Sequence, residues 1–112
     1  MGFFDFMYPD GRSHEVTAAQ AHTKLQEGGV LIDIRPIFQW NAGHAAEAIH
    51  IPEERLIMSE AIHTDGLVIL ICDDGRRSQA AAERLRRQGI DAKNVHGGMR
   101  AWKSSGFSVV RS

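Results

Sequence analysis

"LVILICDDGRRSQAAAERLRRQG", residues 67–89, is the stretch on which the reading of this chain turns. An unbroken apolar run ends at Cys72, the only cysteine among 112 residues. Two aspartates, a glycine and two arginines follow, and then a helical pattern begins. A run that is apolar at every position suits a strand covered on both faces, central in a parallel sheet. In the helix, Ala81, Ala82 and Leu85 make a slim face that lets it lie close to the sheet. Glu83 and Arg87 form an i,i+4 pair, and Gly89 is the stop. The thiol is therefore expected where a central strand hands over to a helix starting near Arg77 or Ser78.

Upstream, Thr17 is a natural N-cap, with Gln20 three residues later completing a capping box. Ala18, Ala21 and Leu25 form the stripe of that helix, and Gly28 or Gly29 takes its left-handed end. "VLIDI" (residues 30–34) reads as a buried strand. "RPIFQWNAGH" reads as a short helix opened by Pro36 and ended by Gly43, and "AIHIP" as a brief strand closed by Pro52. "EERLIMSEAIH" is expected to be helical. Downstream, "DAKNVHGG" gives a short strand, "MRAWKSSG" a short helix and "FSVVRS" an extended piece. Strands alternating with helices define an α/β domain with a mainly parallel central sheet flanked by helices.

A chain of this length holds one core. The reading divides it into an aromatic extension, residues 1–16, and the domain proper, residues 17–112. Phe3, Phe4 and Phe6 are expected to pack on the domain's own surface. The start, "MGFFDFMYPDG", lacks the basic region and cleavage site of a signal peptide, and no run reaches the length of a membrane span. The net charge of −1 provides no field for nucleic acid, and one cysteine rules out an internal disulfide. A cytoplasmic protein, monomeric or homodimeric, is expected.

Ligands of open parallel sheets bind beyond the carboxyl ends of the strands, where Cys72 is expected. The N–H groups at the N-terminus of the following helix favour an anion there, and a thiolate is one. Gly75 lets the loop curl so that several N–H groups face one centre. Free cysteines more often serve as small buried hydrophobes. The charged residues beside Cys72, at a point where the chain leaves the sheet, favour a nucleophile instead.

Four motifs in order resemble those of rhodanese-like sulfurtransferase domains. They are Asp33 and Arg35 after a core strand; Gly43-His44 before Ala48, Ile49, Ile51 and Pro52; the loop Cys72, Gly75, Arg77, Ser78; and Gly97-Gly98 before Trp102. The resemblance runs from about Thr17 to Val109. It implies a three-layer α/β fold and a ping-pong reaction without a cofactor. The Cys72 thiolate would take the outer sulfur of a donor such as thiosulfate, a persulfide or a polysulfide, becoming a persulfide. A thiol or a protein cysteine would then accept that sulfur. The loop Asp73, Asp74, Gly75, Arg76, Arg77 and Ser78 would cradle the anion, with Arg77 as its charge support. A covalent intermediate divides one transfer into two easier ones, and preorganised donors stabilise the anionic sulfur.

Two other classes compete. A binding or regulatory module on the same fold would turn over little sulfur. A cysteine phosphatase or arsenate reductase is disfavoured by loop length, since such loops place arginine six residues after the cysteine and Ser78 stands there. Asp73 and Asp74 would repel dianionic thiosulfate and favour a persulfide donor or a basic partner. Asp33 is expected to cap the next turn and Arg35 to pair with a carboxylate. His44 is expected to be a structural hydrogen bonder, and Trp40 and Trp102 to belong to the core. The six histidines and single cysteine give no metal-ligand spacing. Arg84, Arg86 and Arg87 read as a solvated helix face.

Overall fold

The structure, a computed structural model, describes residues 14–111. The apolar run forms β5 (Val68–Ile71), in which every residue is buried. It lies at the centre of a five-stranded sheet. β2 (Val30–Asp33) pairs with it on one side and β6 (Ala92–Val95) on the other, both parallel. β4 (Ile49–His50) extends the sheet beyond β2, and β1 (Glu15–Val16) extends it beyond β6, giving the order β1-β6-β5-β2-β4. A separate antiparallel pair joins β3 (His44–Ala45) to β7 (Val109–Val110).

Side chains alternate across a strand, so the apolar run splits between the two faces of the sheet. Val68, Leu70 and Cys72 point to the face covered by α3 (Arg76–Arg87), where they pack with Ile32, Ile34, Ala81, Ala82 and Leu85. Ile69 and Ile71 point to the other face and pack with Ala18 and Ala21 of α1 (Ala18–Gln26) and with Met99 and Trp102 of α4 (Gly98–Ser104). This parity puts the thiol on the α3 side of the sheet.

The local signals at α1 operate as read: Thr17 Oγ1 accepts from the Gln20 N–H and Gln20 Oε1 from the Thr17 N–H. α2 (Ile37–Ala42) runs from Pro36 to Gly43. Among the described residues no helix is long and apolar enough to cross a membrane.

Three features differ from the sequence reading. Residues 53–63 form two 3₁₀ stretches, Glu53–Met58 and Glu60–Ile62, separated by the extended Ser59, whose hydroxyl caps the second. Only Leu56 and Ile62 are buried there, so the segment follows two anchors and has no continuous α-helical stripe. Glu15–Val16, placed by sequence in the extension, is an edge strand of the central sheet, in register with Asn94 and Val95. Two residues are too few for periodicity to reveal. α3 starts at Arg76, one or two residues early, because Gly75 takes a left-handed φ of 91° and turns the chain at once. The expected packing of Phe3, Phe4 and Phe6 lies outside the described residues.

Candidate functional site

Cys72 closes β5 with 3% of its surface exposed. The chain then turns through Asp73, Asp74 and Gly75 into α3. Two backbone donors aim at the sulfur: the N–H of Gly75 at 3.2 Å and that of Ser78 at 3.4 Å. Both belong to the first turn of α3 or the residue before it, where N–H groups lack partners within the helix. The Arg76 N–H is taken by Asp74 Oδ1 at 3.0 Å, a turn of the kind aspartate makes with the backbone two residues on. Asp74 therefore shapes the loop. Asp73 is exposed and meets Arg100 Nη2 of α4 at 3.3 Å.

Arg77 turns outward. Its Nε and Nη2 donate to Glu53 Oε1 at 3.0 and 2.8 Å, while Arg84 Nη2 donates to Glu53 Oε2 at 3.0 Å. Burial works against the Glu53 carboxylate, yet the hydrogen bonds from Arg77 and Arg84 outweigh it and hold the carboxyl below its ordinary value. A groove of about 480 Å³ runs beside this cluster, floored by Leu56, Ile57, Ala81 and Leu85; Cys72 is not part of its lining.

Behind the sulfur lies a buried polar chain. Ser78 Oγ is 3.2 Å from Cys72 Sγ and also hydrogen-bonded to Asn94 Oδ1 of β6. Asn94 Nδ2 donates to the Gly75 carbonyl at 3.0 Å and to Glu15 Oε1 at 2.9 Å. His96 Nδ1 stands 3.6 Å from the same Glu15 oxygen. Burial pushes the Glu15 carboxyl up, against the Asn94 hydrogen bond and the His96 charge. The sequence reading passed over Asn94 and Glu15. The available signal was an amide on a strand, between Lys93 and Val95, since a buried polar group needs a partner.

α4 fixes the loop from the far side. Met99 N–H donates to the Cys72 carbonyl at 2.8 Å, and Arg100 N–H to that of Asp73 at 3.2 Å. The approach requires glycine at 98: a Cβ there would stand 2.4 Å from the Cys72 oxygen, and φ is +59°.

Asp33 and Arg35 close the neighbouring strand. Arg35 Nε and Nη2 grip the Asp33 carboxylate at 2.9 and 2.7 Å, Asp33 Oδ1 also accepts from the Arg35 backbone N–H at 3.0 Å, and Nη2 donates to the Gly43 carbonyl. His50 Nε2 donates to the Arg35 carbonyl at 2.7 Å and His44 Nδ1 to that of Trp40 at 2.8 Å, with Trp40 stacked against both rings. Asp33, Arg35 and His44 thus have the structural partners expected of them. Trp102 is fully buried, whereas Trp40 is only half-buried.

A parallel α/β sheet with a thiol held at a helix N-terminus defines a class, and the comparisons identify it. The model of the rhodanese-like domain matches residues 17–105, and the chain belongs to that family. A rhodanese-related protein from Thermoplasma volcanium is 31% identical, with 90% of this chain and 99% of that one aligned at a TM-score of 0.76. A thiosulfate sulfurtransferase from Pseudomonas aeruginosa shares the fold at 18% identity and a TM-score of 0.77 over 97% of this chain and 22% of that one. So does a protein of unknown function from Rhodopseudomonas palustris described as a possible tyrosine phosphatase, at 19% identity and a TM-score of 0.77 over 96% and 90%.

Proposed function

We infer that the protein is a sulfurtransferase carrying sulfane sulfur as a persulfide on Cys72. The observation that carries this reading is the convergence of the Gly75 and Ser78 N–H groups on Sγ. In the first half-reaction the thiolate attacks the outer sulfur of the donor. The new S–S bond forms as the donor's own bond to that sulfur breaks, and the leaving group (sulfite from thiosulfate, a thiolate from a persulfide) departs with the electron pair. In the second, an acceptor thiolate attacks the outer sulfur and Cys72 leaves as thiolate. Donors fixed before the reaction stabilise anionic sulfur with little reorganisation. As the only cysteine, Cys72 has no resolving partner in the chain, so discharge is to an outside thiol or protein cysteine.

The geometry supports a persulfide or polysulfide donor over thiosulfate. Arg77, the expected charge support, is engaged by Glu53, and both loop aspartates are exposed at the turn. A phosphatase is disfavoured because the two convergent amides meet the sulfur itself and the arginine is turned away. The engaged Arg77 and the buried thiol favour one second reading, a binding or regulatory module with little turnover.

Intact-protein mass spectrometry after incubation with thiosulfate or a small-molecule persulfide separates these. A gain of one sulfur that requires Cys72, is absent in Cys72→Ser and is reversed by thiol or cyanide is the expected result, greater with the persulfide. No gain from either donor, with the thiol still open to alkylation, overturns the sulfurtransferase reading in favour of the module.

A further inference from the structure

The hydrogen bonds behind Cys72 can be counted proton by proton. Asn94 Nδ2 has two protons, one facing the Gly75 carbonyl and one facing Glu15 Oε1. Turning the amide over would set its oxygen against both of those acceptors, so Oδ1 must face Ser78. Between Ser78 Oγ and Asn94 Oδ1 there is then one available proton, that of the serine hydroxyl. A hydroxyl has only one. It cannot also be donated to Cys72 Sγ, 3.2 Å away on the other side.

We propose that Ser78 is a two-position donor thrown by the ionisation of Cys72, and that Asn94 is the positioning residue that holds it in the resting position. While Cys72 is a thiol, its S–H donates to Ser78 Oγ and the serine hydroxyl donates to Asn94 Oδ1. When the sulfur loses its proton to solvent, oxygen lone pairs face an anion and the S–H bond to serine is gone. The hydroxyl then rotates onto Sγ and joins the N–H groups of Gly75 and Ser78, and Asn94 Oδ1 gives up its partner. Asn94 thus opposes formation of the thiolate by the hydrogen bond it must surrender, and steadies the thiol. Sγ, Ser78 and Asn94 are all buried, so no bulk water relieves that competition. The inference concerns the ionisation of the site thiol and stands apart from the sulfurtransferase reading, because alkylation reports it without any sulfur donor.

The test measures the rate of Cys72 alkylation against pH in the wild type, Asn94→Ala, Ser78→Ala and the double variant. The charged groups near the site are Asp33–Arg35 on the neighbouring strand, Asp73, Asp74 and Arg100 at the loop, Arg76 and Arg77 at the start of α3, and Glu15 with His96 behind Asn94. Asn94→Ala takes a hydrogen bond from Glu15 with or without the serine, so the comparison of the two backgrounds cancels that change. Asn94→Ala frees the serine for the sulfur and is expected to lower the alkylation midpoint by about one pH unit, the size of one hydrogen bond to a charged acceptor. In the Ser78→Ala background the same change should leave the midpoint where it is. A merely structural role for Asn94 would not depend on the serine hydroxyl. An unmoved midpoint in Asn94→Ala, or an equal shift with and without Ser78, overturns the proposal.

Infrared spectroscopy below the midpoint supplies a readout that does not need the Asn94 variant to fold. The single cysteine gives a single S–H stretch. Its frequency is expected to be that of a hydrogen-bonded thiol in the wild type and to rise toward the free value in Ser78→Ala. Identical frequencies in the two proteins would mean that the serine does not accept the S–H, and would overturn the proposal alone.

Discussion

The carboxylate of Asp33 and the guanidinium of Arg35 meet at 2.7 Å with both side chains almost wholly buried. Two residues at the end of one strand thereby carry opposite charges into the core beside the cysteine strand, and the Arg35 guanidinium bonds both to the Asp33 carboxylate and to the Gly43 carbonyl that ends α2.

The first prediction concerns that pair. Removing one partner leaves a buried charge uncompensated, at a cost of about 3–5 kcal/mol. Asp33→Ala and Arg35→Met should each destabilise the domain by that order in urea denaturation. The double variant should be less destabilised than the sum of the two. Additive losses would show that the two charges are not coupled.

Gly98 tests how the loop is held. Any side chain there meets the Cys72 carbonyl oxygen and the Asp73 carbonyl group at once, in a backbone conformation that itself costs a non-glycine residue about 1–3 kcal/mol. Gly98→Ala should lower the melting temperature and also slow persulfide loading, since the loop must move to admit the Cβ. A destabilised variant that loads at the wild-type rate would detach the loop's position from its chemistry.

The small face of α3 sets the distance from helix to sheet. Ala82 has no exposed surface, and enlarging it overfills a packed region at a cost of about 1–3 kcal/mol. Ala82→Leu should push α3 outward, drawing the Ser78 N–H from the sulfur. The expected outcome is a stability loss together with a higher alkylation midpoint, measured on the same preparation.

Glu53 links stability to pH and tests what Arg77 can do. Its carboxyl lies below its ordinary value in the fold, so its contribution is present above the unfolded value of 4.5 and is lost as the pH falls through the lower folded value. As a partly exposed pair it contributes under about 1 kcal/mol. The stability gap between wild type and Glu53→Gln should therefore be small at neutral pH and close in acid. The variant also releases Arg77, and thiosulfate loading should saturate at lower donor concentration. Unchanged saturation would show that Arg77 does not reach the donor even when free.

Much of this was legible in the sequence because the contacts concerned are short. The Thr17–Gln20 capping box, the cap that Asp33 makes on the turn after β2 and the Glu83–Arg87 pair each span two to four residues, distances that turn and helix geometry fix directly. The unbroken apolar run that ends at Cys72 was enough to expect a thiol at the end of a central strand. The 3₁₀ segment was misread because its two anchors, Leu56 and Ile62, carry too little periodicity to distinguish one helix type from another.

What the sequence by itself determined was the alternation of the main strands and helices, the family motifs and the position of the single thiol at a strand-to-helix junction. Only the tertiary structure decided what surrounds that thiol. Asn94 reaches Ser78 across 16 residues, Glu53 takes Arg77 and Arg84 across 24 and 31, and Arg100 meets Asp73 across 27. Such partners depend on the register of β6 against β5 and on how α3 and α4 dock, which are set by the closure of long loops and the packing of the whole core. Local propensity can place a cysteine, but the choice among several possible partners for one hydroxyl or one guanidinium belongs to the assembled fold.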